Sequence, residues 1–322
     1  MQIVSESAQE NVEPFSLDLA VLTLALNYTL FTVLSRLSGE SLGVYTQIAV
    51  RNGLAALIFW LVMRKSIRSF WKIGPRDRRL ILWRGLLLYV VSIPAFVASS
   101  LMLPLGVCSL IGALPFSLVC GALLFGDRMR FAEKIGMVVA LLGLLLLLGT
   151  EDSGATVGNL FSGTTVLGAG LALLSAITFG LFSTTRRSHS SDVRDAELCF
   201  YFLLMAGVVC GFVAMLPVGS SIVSRADNSS FGVAILLQLI GAVLTVTSSL
   251  LLSRVYRSNQ TARISLVLMT EPLFSAALGY LFFAETFSAL QLMGAGVMFC
   301  GLLAGALGSA LSFRNRPAAQ VA

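Results

Sequence analysis

Residues 265–303 read SLVLMTEPLFSAALGYLFFAETFSALQLMGAGVMFCGLL: two apolar runs parted by little more than Glu285, with a Glu271-Pro272 pair inside the first. A helix needs about 20 mostly apolar residues to cross the hydrocarbon core. Two such runs in succession read as two membrane-spanning helices with a tight connection. The rest of the chain agrees. Of 322 residues, 57% are hydrophobic and 12% charged, and the mean hydropathy is +0.89. A soluble domain carries about 25% charged residues. This chain cannot cover a water-facing surface and takes the bilayer as its solvent.

Working outward, ten runs of this kind occur, near residues 17–35, 44–63, 81–102, 106–125, 135–149, 165–184, 198–216, 231–253, 264–284 and 287–311. They predict an all-α integral membrane fold of ten transmembrane helices. The fifth is short. The third and fourth nearly touch, and Pro104 marks a tight turn between them. Residues 1–16 form an N-terminal tail without the basic n-region of a signal peptide, and residues 312–322 a C-terminal tail.

The basic residues test the count, because short cytoplasmic loops collect Lys and Arg. With the N-terminus inside, the second-to-third connection, read as far as Arg84, holds Arg64, Lys65, Arg68, Lys72, Arg76, Arg78, Arg79 and Arg84. The later inner connections hold Arg128, Arg130 and Lys134, then Arg186, Arg187 and Arg194, then Arg254, Arg257 and Arg263, with Arg314 and Arg316 in the tail. The outer face has Arg36 and Arg225, and Arg51 lies within a span. This alternation predicts that both termini are cytoplasmic.

The two halves repeat. GALLFGDRMRFAEKIGMVVALLGLLLL from Gly121 aligns with GYLFFAETFSALQLMGAGVMFCGLLAG from Gly279 at a shift of 158. Gly121 meets Gly279, Phe125 meets Phe283, Asp127 meets Glu285, Gly136 meets Gly294 and Gly143 meets Gly301. A unit of five spans must enter the membrane from opposite sides in its two copies. The expected organisation is therefore an inverted repeat of 17–150 and 151–311, a frequent plan in secondary transporters.

These blocks resemble the drug/metabolite transporter superfamily in its EamA-like ten-span branch. The carrying features are the Glu271-Pro272 pair, the acidic residue after that span and the glycine-spaced tenth span, with LMLPLGVCSLIGALPFSLVCGALLFGDRMRF as the first-half counterpart. QIAVRNGLAALIF resembles the family's arginine-bearing second span. The first half departs from the second in having Leu114-Pro115 where the second has Glu271-Pro272, and Asn27-Tyr28 stands where many relatives carry Trp-Gly. The resemblance implies a basket of helices around a central cavity, with the fifth and tenth spans at the periphery.

Ionisable residues inside a span are candidates for function. Glu271 either contacts substrate or a proton, or is a carboxyl, neutral or paired with Arg51, that ties helices together. Arg51 either binds a substrate carboxylate or bonds within the protein, while Asn52 points about 100° away on the helix. Asn27, Tyr28 and Phe179 are weaker cavity candidates. Ser99 and Thr245 stand in polar stretches whose hydroxyls often bond back to their own helix. Pro94, Pro115 and Pro272 are expected to break or kink spans three, four and nine. Asp127 and Glu285 read as N-caps of the spans that follow. The glycines of span ten read as packing within the protomer more than as a dimer seam.

The expected function is a secondary transporter, an exporter of small metabolites such as amino acids across a bacterial inner membrane by alternating access. A multidrug or cationic-compound efflux transporter is the alternative. No nucleotide-binding G-x-x-x-x-G-K-[ST], H-E-x-x-H or G-x-S-x-G motif occurs, which disfavours a pump or an intramembrane enzyme, and nothing suggests a receptor. Five cysteines lie in apolar runs as packing residues, and the one histidine, His189, is in a polar loop. No metal, cofactor or nucleic acid is expected. The partners are a small-molecule substrate and the lipid bilayer, and the protein is expected to be a monomer or weak dimer.

Overall fold

The computed structural model describes residues 14–39, 41–126, 131–148, 163–190, 193–216, 231–257, 268 and 270–314. The helices in order are α1 (Pro14–Ser38), α2 (Val44–Met63), α3 (Pro75–Met102), α4 (Leu105–Gly112), α5 (Phe116–Phe125), α6 (Phe131–Leu148), α7 (Gly163–Thr184), α8 (Asp195–Ala214), α9 (Phe231–Arg257), α10 (Glu271–Phe283) and α11 (Ala289–Arg314). No strand occurs among the described residues. Among the described residues, six stretches are long and apolar enough to cross a membrane: Leu19–Ser38, Val44–Ser66, Pro75–Met102, Thr164–Thr184, Asp195–Ala214 and Gly232–Leu251. Glu271–Phe283 and Ala289–Gly305 are shorter apolar helices. The expectations about residues 1–13, Asp127, Arg128, Arg130, Arg225, Arg263 and Arg316 lie outside the described residues.

The prolines behave differently from one another. Met102 ends α3, and Leu103 and Pro104 make the turn before α4. Pro115 parts α4 from α5, so the fourth span is broken there. Pro272 is the second residue of α10, a first-turn position where its missing N–H leaves no helix bond unmade. Pro94 does not end α3. A π-helical turn, Leu87–Ser92, precedes it and absorbs the disturbance within one continuous helix.

Packing pairs the helices of one half with those of the other. The broadest contacts join α6 to α11 and α2 to α8; α1 lies on α9 and α10, and α7 lies on α3 and α5. Glycines bring α6 and α11 close. A Cβ on Gly301 would sit 2.6 Å from the Ala140 nitrogen, and one on Gly136 would sit 2.5 Å from the Gly301 oxygen. One on Gly294 would meet the Leu147 nitrogen at 2.5 Å, and one on Gly143 the Met298 nitrogen at 2.3 Å. These glycines therefore pack within one protomer.

Loops fix the two ends. At one end, Glu197 at the start of α8 is reached by Arg68 and Arg194, while Asp77 in α3 accepts from Ser190 and His189. At the other, Arg36 at the end of α1 donates to Glu285, whose second oxygen accepts the Leu105 N–H at 2.9 Å. Glu285 thus ties α1, α4 and α10 instead of capping the next helix. Ser288 and Gln291 do the capping: the Ser288 hydroxyl accepts the Gln291 N–H at 3.2 Å, and Gln291 Oε1 accepts the Ser288 N–H at 3.0 Å.

Candidate substrate cavity

The helix crossings line a partly open cavity of about 300 Å³. Its wall is mainly aromatic and aliphatic: Tyr28 and Phe31 from α1, Tyr89 and Phe96 from α3, Phe179 and Phe182 from α7, and Phe202 from α8. Polar groups are few. Asn27, Asn52, Ser92, Ser175, Thr245, Ser248 and Ser249 contribute, and two ionisable side chains of opposite sign, Glu271 and Arg84, share the same lining.

Glu271 is the first residue of α10. Its carboxylate makes no ion pair among the described residues. The start of α10 is held by hydroxyls one turn on. Ser275 accepts from Ser109 at 2.7 Å and lies 3.3 Å from the Thr29 hydroxyl, and Thr29 also donates to the Glu271 carbonyl at 3.4 Å. These bonds tie spans one, four and nine together beside the acid.

The tally of basic residues counts Arg84 with the connection after span two. The structure buries it, 1% exposed, inside α3. Its Nη2 and Nε donate to the Phe182 carbonyl at 2.9 and 3.2 Å, and its guanidinium lies 4.4 Å from the Phe182 ring centre. The available signal was its place three residues inside an apolar run, on the helix face later occupied by Leu88 and Ser92 at four-residue steps.

Of the residues singled out in advance, Glu271, Asn27, Tyr28, Phe179 and Thr245 line this cavity, and Arg51 and Ser99 do not. Arg51 is 1% exposed. It donates to Ser35 at 2.9 Å, and its guanidinium stacks 3.7 Å from the Phe31 ring centre. It lies against α9, where a Cβ on Gly241 would be 3.0 Å from Arg51 Cδ. Arg51 and Glu271 are therefore not a pair, and Phe31 has Arg51 against its ring. Asn52, the next residue, does line the cavity and donates to the Ile48 carbonyl at 2.8 Å. Ser99 is fully buried between α3 and α4 and accepts from the Cys108 thiol at 3.4 Å. Thr245 donates back to Gly241 at 2.8 Å while facing the cavity. The rest of the aromatic wall (Phe31, Tyr89, Phe96, Phe182 and Phe202) and Ser175 carry no signal in the sequence, because Phe and Ser in an apolar span do not show which face they occupy.

The class these features define is a multi-pass helical membrane protein with an internal cavity sized for a small solute. Residues 166–304 match the EamA-like transporter family. The second half of the chain is thus similar to an EamA-like transporter domain. An "Uncharacterized transporter" of Archaeoglobus fulgidus is 24% identical over 233 residues, covering 72% of this chain and 77% of that protein. A crystal structure described only as that of a protein shares the fold, with a TM-score of 0.63 at 17% identity, covering 94% of this chain and 99% of that one.

Proposed function

We propose that the protein is a secondary transporter that exports small zwitterionic metabolites, amino acids foremost, by alternating access around this cavity. The observation that carries the reading is the joint presence of Glu271 and Arg84 in one largely apolar lining of about 300 Å³. Glu271 would take the ammonium group, and Arg84 the carboxylate as a charge-assisted hydrogen bond. The aromatic wall would take an apolar side chain. Arg84, rather than Arg51, is the cation placed for that task.

Two features support the alternating-access part. The broadest contacts are in keeping with exchange of the halves 17–150 and 151–311: span one on eight answers six on three, and spans two on seven and five on ten map onto themselves. The cavity lining draws on Arg84, Ser183, Leu198 and Ser249, towards the basic end of the bundle, while Arg36, Glu285 and Leu105 tie the opposite end. The described basic residues of residues 64–79 gather at one end, which supports a cytoplasmic placement of that end and of both termini in a bacterial inner membrane. We read the protein as working as a monomer, since the glycine seam is used internally.

The aromatic lining also favours a second reading, an exporter of cationic amphiphiles held by Glu271 and by cation–π contacts. Counterflow in proteoliposomes tests both, with labelled amino acids and a labelled organic cation as probes. Saturable amino-acid flux, lost in Glu271→Gln and weakened in Arg84→Gln, is expected. Cation flux that survives Arg84→Gln, with no amino-acid flux in the parent, would replace the first reading by the second. Absence of flux for either probe in folded protein would remove both.

A further inference from the structure

The segment from Arg64 to Arg79 carries more positive charge than its neighbours, and the structure shows which of it is left over. Arg68 is consumed by Glu197. Arg78 lies over the Trp71 ring at 5.3 Å. Arg76 and Arg79, three residues apart on the first two turns of α3, project side by side. Neither has an ion-pair or hydrogen-bond partner among the described residues.

The local acids explain why. Asp77, between them in sequence, is only 7% exposed and turns to the other side of the helix. There it accepts from the Ser190 hydroxyl at 2.7 Å, the Ser190 N–H at 3.1 Å and His189 Nδ1 at 3.2 Å. Those bonds also hold the turn Thr185–Ser188 against α3. The result is a notch lined by Pro75, Arg76, Arg79, Leu80, Trp83 and Ser188. Trp83 is one turn deeper than Arg79, about 6 Å along the helix, and 49% exposed, beside Leu82 and Leu86 at 46% and 43%. The notch is therefore cationic at its mouth and aromatic to aliphatic below, on the membrane-facing side of a spanning helix.

We propose that this notch is a binding site for an anionic phospholipid. The headgroup phosphate sits between Arg76 and Arg79 with the Ser188 hydroxyl donating to it, and an acyl chain runs down along Trp83 and Leu86. Both ends of an amphiphile are matched, whereas a soluble anion would use only the arginines. Basic clusters beside a spanning helix attract anionic headgroups in general. What is specific is a pair of unneutralised arginines over an exposed tryptophan, in a notch whose far wall is fixed by Asp77.

The test uses the full chain in phosphatidylcholine vesicles, with Trp60→Phe and Trp71→Phe so that Trp83 is the one remaining tryptophan of three. Trp83 fluorescence is titrated with brominated-chain phosphatidylglycerol and with brominated-chain phosphatidylcholine. Two arginines near a lipid charge give a preference of roughly thirtyfold for the anionic lipid. That preference should vanish in Arg76→Gln/Arg79→Gln and largely persist in Arg76→Lys/Arg79→Lys. Equal quenching by both lipids in the parent, or a preference untouched by the glutamine pair, would overturn the proposal. So would its abolition by excess inorganic phosphate, which would show a free-anion site. Fluorescence-detected thermal unfolding of each variant separates loss of binding from loss of fold.

Discussion

Gly126 and Ala284 stand 158 positions apart, and both take left-handed backbone, with φ of 69° and 51°. Each closes the span before it: the Gly126 N–H reaches back to the Ala122 carbonyl, and the Ala284 N–H to the Tyr280 carbonyl, both at 3.1 Å. The shift is the one that aligns the two halves. The second half performs with alanine what the first performs with glycine, and a Cβ is strained in that region by about 1 kcal/mol.

Replacing Ala284 by glycine should therefore stabilise the protein by about 0.5–1 kcal/mol, and Gly126→Ala should destabilise it by a similar amount. Thermal unfolding in detergent reads both. A lower midpoint for Ala284→Gly would show that the left-handed turn is not strained.

The α6–α11 seam makes a sharper demand. A methyl on Gly301 meets backbone on Ala140 and Gly136, which cannot step aside, whereas Gly296 on the same helix has nothing within 4 Å of the added atom. Gly301→Ala should lower stability by about 1–3 kcal/mol, the ordinary cost of overpacking. Gly296→Ala should be neutral or slightly stabilising, since alanine is the better helix former. Similar midpoints for the two variants would contradict the close approach.

Glu197 has a fully buried side chain and six donors around it, the N–H, Nε and Nη2 of both Arg68 and Arg194. Glu197→Gln removes the charge those donors converge on and turns one acceptor oxygen into an NH2 that faces other donors, and should cost about 2 kcal/mol, since both guanidinium groups are partly exposed and can turn to solvent. The loss should appear in the unfolding midpoint. A drop no larger than that of a surface substitution would mean solvent already satisfies both arginines.

The two buried arginines should separate cleanly. Arg84→Lys keeps charge in the cavity but loses the planar fork, so the half-saturation concentration for an amino acid should rise by about tenfold, the weight of one charge-assisted bond. Arg51→Lys loses its stack on Phe31 and should lower the unfolding midpoint while leaving half-saturation unchanged. Counterflow kinetics beside thermal unfolding distinguish them. The reverse pattern would place Arg51, not Arg84, on the substrate.

What the sequence disclosed follows from what periodicity and charge can encode. Apolar runs foretold helices, Pro115 pointed to a break in span four, and the glycines of span ten pointed to packing within the protomer, but not to Gly136 and Gly143 as their partners. Glu271 was visible because a carboxylate in an apolar run is costly and so conspicuous. Arg84 was hidden by being close enough to a basic loop to be counted in it. Glu285 looked like a cap because a helix follows it, yet its reach to Arg36 is a contact between residues far apart in the chain that no local pattern announces. Which face of each span carries its phenylalanines is likewise decided by neighbouring helices.

The trio of Thr29, Ser109 and Ser275 carries a mechanical consequence. Each hydroxyl can give or take a proton, so the three can exchange partners as one helix slides past another without the count of bonds changing. A charged pair at that place would act as a latch, whereas hydroxyls that can trade partners would act as a bearing. Spans one, four and nine meet at this bearing beside Glu271, while the glycine seam of α6 and α11 tolerates no added atom. In the proposed transport cycle the molecule would thus join a stiff strut to a pivot of low friction, with the acid at the pivot.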